Sequence, residues 1–267
     1  MGTKGLVCGF VLAGAVAGRA ATGTTDAVGV RHPEGLVHGF LTLSTLAGET
    51  LADGDLIQTT RGTRVTSRLV FHFRDGSLHD ETAVFIQGRT FRLLTDHLVQ
   101  KGPSFPHPLD ATVDATRGHA VVRYADDGKE KVEDDHFDAA PGLANGLVPV
   151  LLKNLGKGAA LPRLAMLVAT PKPRTVGLEL QRAGEDAFTV GGSKRTATRY
   201  VVKIHIGGIS GVIAPLVGKE PPDTSVWILE GEAPAFLKSE GPLFAGGPVW
   251  RIALDSPSWP KAAAESR

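Results

Sequence analysis

Two imidazoles and a carboxylate stand close together in the run LVFHFRDGSLHDETAVF: His72, His79 and Glu81. Asp75-Gly76 lies between them, and Asp-Gly flanked by alternating apolar residues signals a two-residue hairpin turn. With that turn Arg74 pairs with Ser77, Phe73 with Leu78, His72 with His79, Phe71 with Asp80 and Val70 with Glu81. Strand side chains alternate between faces, so this register puts His72, His79 and Glu81 on one face. Two imidazoles and a carboxylate are a donor set for a transition metal, and a metal-assisted hydrolase would use them so. The plainer account is a polar sheet face with charge pairing. His79-Asp80-Glu81 also fits the H-x-E of zinc deaminases, but Cys8 is the only cysteine, so the paired cysteines that complete such a site are missing.

The same register gathers Leu69, Phe71, Phe73, Leu78, Val84 and Ile86 on the other face, where Phe91 and Leu93 of the next strand join them. That face is the expected core. Val70, Arg74 and Phe85 share the polar face, with Arg92 and Asp96 as neighbours. Trp227 and Trp250 fall in later strand-like runs. In strands, tryptophans serve as core or, on a curved and open sheet, as the lining of an apolar groove. Phe71, Phe73, Phe91, Trp227 and Trp250 are therefore the candidate contacts for an apolar ligand.

Other motifs fail on spacing. A P-loop needs four residues between its glycine and the Gly-Lys pair, then Ser or Thr, and a helix. In GGISGVIAPLVGKEPPDTSVW six residues separate Gly211 from Gly218, Glu220 follows Lys219, and Pro221-Pro222 forbids the helix. Ser210 has Gly208 two before it but Val212 two after it, so it is no nucleophile elbow. Ile209, Val212, Ile213, Leu216 and Val217 are too apolar for an idle surface loop, which predicts a segment folded over one end of the sheet. The acidic run EDDHFD, Glu133 to Asp138, lacks the spacing of a calcium-binding EF-hand and suits a solvated turn and helix start. His32, His38, His107, His119 and His205 have no partners that the sequence assigns.

These residues need strands to position them. From Leu36 to Lys131 segments of 8 to 12 residues rich in Val, Thr, Phe and Leu alternate with turns at Asp53-Gly54, Arg61-Gly62, Asp75-Gly76, Gln87-Gly88, Arg117-Gly118 and Asp127-Gly128. That is the pattern of an antiparallel meander, over 36–134. GPSFPHPL, residues 102–109, holds three prolines and reads as an extended loop. One helix is expected over 138–156, with Asp138 as cap, Leu143, Leu147, Val150 and Leu151 on one face, and Pro149 kinking or splitting it. A second β-rich half follows over 163–255, then a mobile tail over 256–267. The reading is one mainly β domain over 22–255: a large curved antiparallel sheet or half-barrel with one central helix.

The chain of 267 residues is 42% hydrophobic, with 33 glycines and 17 prolines, ample for a core. A net charge of +1 with no long basic run excludes a nucleic-acid binder that relies on a basic patch. Lys4, the apolar run GLVCGFVLAGAVAG and the small residues after it predict a signal peptide over 1–21, cleaved after Ala17, Ala20 or Ala21. The mature chain would then carry 27 basic and 28 acidic residues and no cysteine. Disulfides and thiolate chemistry are thereby excluded, and an exported bacterial protein, periplasmic or secreted, without a membrane span after cleavage, is expected.

The run GTRVTSRLVFHFRDGSLHDETAVFIQGRTFRLLTDHLVQKGPSF, with GLANGLVPVLLKNL and the closing SVWILEGEAPAFLKSEGPLFAGGPVWRIAL, resembles uncharacterised bacterial exported β-rich proteins. Their layout is similar to the half-barrels of periplasmic lipoprotein carriers. The resemblance implies a concave apolar face that holds a lipid or another apolar small molecule. It carries over no catalytic residue and no cofactor. The expected function is apolar-ligand binding, with a His/His/Glu hydrolase or an envelope structural or interaction protein as alternatives.

Overall fold

The computed structural model describes residues 25–126, 128–169, 172–190, 192–205 and 221–255. The expected signal peptide with Cys8, the tail from residue 256 and the apolar stretch 207–220 lie outside them. Eight strands come first: β1 (Val37–Thr45), β2 (Thr50–Arg61), β3 (Arg64–Phe73), β4 (Leu78–Gln87), β5 (Phe91–Lys101), β6 (Leu109–Asp114), β7 (His119–Asp126) and β8 (Lys129–His136). A short helix, α1 (Val148–Lys153), precedes β9 (Leu164–Val168), β10 (Arg174–Val190), β11 (Ser193–His205), β12 (Thr224–Leu229), β13 (Ala235–Gly241) and β14 (Trp250–Leu254).

All fourteen strands form one antiparallel sheet in the order β8-β7-β6-β5-β4-β3-β2-β1-β14-β13-β12-β11-β10-β9. The fold is thus two meanders joined at the β1–β14 ladder, with α1 on the connection between their far ends. The sheet is open, yet strongly curved. Val113 of β6 and Tyr200 of β11 belong to one buried core cluster, although nine strand spacings separate those strands. On a flat sheet they would be roughly 43 Å apart, at about 4.8 Å per strand.

The concave face is filled by α1 and its flanking loops: Leu143, Leu147, Val150, Leu151 and Leu152 share that cluster. A second cluster gathers Leu41, Leu43, Ala52, Phe71, Phe73, Phe105 and Trp250. Phe105 comes from the proline-rich loop, and its ring packs 5.3 Å from Phe73 and 5.5 Å from Phe244.

The helix is six residues long and not the nineteen of 138–156. Pro149 has no amide to give and is tolerated only in the first turn, where it stands. The preceding backbone is engaged elsewhere, because Ala144 N donates to Ala165 O and Ala165 N donates to Gly142 O. Residues 142–145 therefore run along β9 as a cover for its outer edge, and Asp138 caps no helix. Asn145 completes the cover: its Nδ2 donates to Leu167 O, and its Oδ1 accepts from Leu167 N. At the other end of the sheet no described strand covers β8, which carries the charges of KEKVEDDH.

Polar contacts dock α1. Lys153 Nζ lies 2.6 Å from Glu34 Oε1 and 2.8 Å from Oε2, and Gln58 Nε2 donates to the same carboxylate. Glu34 is 8% exposed. Asn154 Oδ1 accepts from the amides of Arg31 and His32.

The β3–β4 hairpin differs from its expected register by one residue. Phe73 N donates to Ser77 O and Gly76 N to Phe73 O, so the loop is Arg74-Asp75-Gly76, with Gly76 at φ +85°. A third loop residue at positive φ is the alternative to a two-residue turn, and Asp75 supports it by accepting from the Ser77 amide. The pairs become His72 with Leu78, Phe71 with His79 and Leu69 with Glu81. A slip of one exchanges the faces of a whole strand. Phe85 is therefore fully buried, whereas Leu78, Val84 and Ile86 sit on the partly exposed convex face.

Candidate functional site on the concave face

The register determines which β2–β5 side chains share the concave face, and they form three successive rows. Gly54, Phe71, His79 and Gln100 lie side by side, as do Gln58, Ser67, Ala83 and Asp96. All eight are buried. Between these rows lies a third, Leu56, Leu69, Glu81 and Leu98, each of which keeps part of its surface accessible. This row is three leucines and one carboxyl, partly accessible between two buried rows, and Leu56 and Leu69 pack against the second core cluster.

Burial raises the Glu81 carboxyl from its ordinary 4.5 to about 7. Asp96, diagonal to it across the β4–β5 ladder, is raised well above the usual carboxylate range by burial and then by the negative charge of Glu81. Two carboxyls in such a place retain a proton that either alone in water would have lost. His79 is on the other flank of Glu81, two residues back on the same strand face. Its Nδ1 is 3.0 Å from Gln100 Nε2, which also donates to Leu243 O. An amide donor makes Nδ1 the acceptor, which places the proton of the neutral ring on Nε2. Burial lowers the pKa of this imidazole to about 4. Among the described residues four buried side-chain atoms lack a hydrogen-bond partner: His79 Nε2 and Asp96 Oδ1 here, and the Nε atoms of Arg182 and Arg199 elsewhere. Buried polar atoms nearly always have one.

The loop before α1 closes over the acids. Gly146 takes φ +61°, and a Cβ there would stand 2.7 Å from Ala83 Cβ, 3.5 Å from Asp96 Oδ1 and 3.6 Å from Glu81 Oε1. Gly146→Ala would combine strain with this clash. Its expected cost is about 1–3 kcal/mol of stability, measured by urea unfolding.

His72 projects from the convex face, opposite to His79 and Glu81, and the three do not converge. The metal set His72, His79 and Glu81 rested on a two-residue turn, and the third loop residue separates it. The five aromatic candidates are all buried, at 8% exposure or less. Phe71 lies over Gly54, where a Cβ would overlap its ring. Phe73 and Trp250 pack against Phe105. Phe91 packs on Phe85. Trp227 donates from Nε1 to Asp186 Oδ2 and carries Lys238 Nζ 3.9 Å above its ring. These rings build the walls and ends of the sheet, while the accessible row belongs to Leu56, Leu69 and Leu98. The sequence places Leu69 on the core face with Phe71, as the structure does, but singles out neither Leu56 nor Leu98, whose signal is the period-2 alternation of their own strands.

No family model and no curated protein matches the chain. Among solved structures it is similar to a β-barrel-like protein of a domain of unknown function, DUF1849, from Brucella abortus. The identity is 11% and the TM-score 0.44, over 84% of this chain and 98% of that one. It is also similar to the hypothetical lipoprotein YmcC from Escherichia coli, at 11% identity and a TM-score of 0.35, over 84% of this chain and 86% of that one. No helix among the described residues is long and apolar enough to cross a membrane.

Proposed function

We propose that this protein is an exported carrier or sensor that binds an acyl or other apolar molecule with an uncharged hydrogen-bonding head, such as an ester, an amide or a protonated acid. The observation that carries this reading is the partly accessible row Leu56, Leu69, Glu81 and Leu98 between two buried rows. Leucine walls give affinity without direction, at roughly 25 cal/mol per Å² of apolar surface covered. The polar trio in the middle supplies orientation: the His79 Nε2 proton and a protonated carboxyl offer donors to a carbonyl. A permanently charged head fits poorly, because it would be desolvated beside acids that themselves resist charge. Lys4 and the apolar run after it support export. The His/His/Glu hydrolase loses its support when His72 stands on the opposite face.

The test is mass spectrometry of organic extracts from gently purified protein, repeated with Leu69→Trp, whose indole fills the row. An acyl compound in near-stoichiometric amount, reduced at least tenfold in the variant while circular dichroism is unchanged, is the expected result. An extract free of apolar compounds, together with no uptake of added monoacylglycerol by the wild-type protein, would reject the reading.

A further inference from the structure

A second constellation lies far from the Glu81 row, on the convex face of the edge hairpin. His119 of β7 and His136 of β8 are directly opposed in the ladder, and their rings stand 5.0 Å apart. Asp134 is two residues before His136 and so shares its face, and its Oδ1 is 2.7 Å from His119 Nε2. One ligand atom from each of the three lies within 4.8 Å of the others. Among the described residues no other group of three or more His, Asp or Glu side chains meets that condition. The other histidines paired with a carboxylate, His38 with Asp55, His97 with Asp110 and His205 with Glu179, have no second imidazole in such a cluster.

We propose that His119, Asp134 and His136 form a binding site for a divalent transition metal of the zinc, copper or nickel type. The donor set decides the class: two imidazole nitrogens and one carboxylate oxygen suit these ions, whereas calcium and magnesium require mostly oxygen. Zinc bonds of about 2.0–2.2 Å place tetrahedral ligand atoms roughly 3.3–3.6 Å apart. His136 and Asp134 are exposed and His119 partly so, which leaves their side chains free to turn inward by that distance.

The backbone already holds the pair in register, since Phe137 N donates to Gly118 O just beyond it. Gly118 takes φ +63° there, and a Cβ at this glycine would overlap the Phe137 carbonyl. Asp114, cross-strand from His119 on its other side, adds a negative charge nearby. Its own oxygens are occupied by Thr116 and Arg117, so it acts through its field and not as a ligand. Three protein ligands leave at least one position for water.

The site gives β8 something it otherwise lacks. Val132, its only apolar side chain, is 53% exposed, so burial contributes little to holding this strand. A metal bridging β7 and β8 is a clamp on the end of the sheet. Its formation displaces the His119–Asp134 hydrogen bond.

The experiment is calorimetric titration of zinc chloride into the purified, tag-free protein at pH 7.4, with magnesium chloride as control. We expect one zinc site of micromolar affinity and no magnesium binding. His119→Ala and His136→Ala should each weaken it at least tenfold, and His72→Ala should leave it unchanged. Zinc should also slow hydrogen exchange of β8 amides in the wild-type protein only. No zinc binding overturns the proposal, and so does binding that survives the His119→Ala/His136→Ala pair. Both histidines are at the surface of an edge hairpin, so the variants keep the fold.

Discussion

Lys153→Met is expected to destabilise the protein by about 3–5 kcal/mol in urea unfolding at pH 7. The substitution preserves the length and apolar stem of the side chain but removes the ammonium that lies 2.6 Å from Glu34. Glu34 is then a buried carboxylate whose remaining side-chain donor is Gln58. The cost comes from the charge left behind and not from lost attraction alone, so removing both charges should restore most of it. Glu34→Gln/Lys153→Met is expected within about 1–2 kcal/mol of wild type, because replacing both partners of a buried pair is often close to neutral. A single variant as stable as wild type would show that the pair is solvated and that α1 is docked by its leucines alone.

The second large effect is a dependence on pH. In the unfolded chain Glu81 loses its proton near 4.5, whereas in the fold it holds it to about 7. Between those values the folded state binds more protons than the unfolded state. Stability is therefore fully present below 4.5, falls as pH rises and levels off above about 7. The difference corresponds to roughly 3 kcal/mol at 1.36 kcal/mol for each tenfold change. Asp96 is displaced in the same direction, and part of its displacement is the charge of Glu81. Glu81→Gln keeps the shape, needs no proton and relieves Asp96. The variant is expected to match the wild type near pH 4, to exceed it by roughly 3 kcal/mol at pH 8 and to show a flatter profile between. Equal slopes in urea unfolding at pH 5, 6.5 and 8 would refute this account of the acid pair.

Much of the architecture is legible in residue type and spacing, because the strands are long and strongly periodic and most turns are marked by glycine. Asp53-Gly54 is the exception, lying inside β2, where Gly54 makes room for the Phe71 ring. The meander expected over 36–134 is β1 to β8, and the second half is β9 to β14. That both halves form one sheet is not legible, since the β1–β14 ladder joins residues more than 200 positions apart. The site failed on a smaller point. Asp75-Gly76 reads equally as a two-residue turn or as the end of a three-residue one, and local residue types do not distinguish them. That single residue decides whether Glu81 faces the outside or the inside of the sheet, and whether His79 meets His72 or Phe71. The helix was overestimated because Leu143 and Leu147 do face the core, but as loop residues whose backbone is bonded to β9. Phe105 was hidden for a similar reason: three nearby prolines announce a loop, and nothing in them says that the loop lies over aromatic rings.

The two ends of the sheet differ in a way that governs how the molecule comes apart. At β9 the outward amides of Ala165 and Leu167 are already bonded, to Gly142 O and Asn145 Oδ1. That strand cannot leave without taking the loop before α1 with it. At β8 one ladder, to β7, is all that must break, and little apolar surface is lost with it. Opening of the sheet is therefore directional. Hydrogen exchange is expected to be fastest in β8 and slower strand by strand toward β5, and slowest at the end sealed by Asn145.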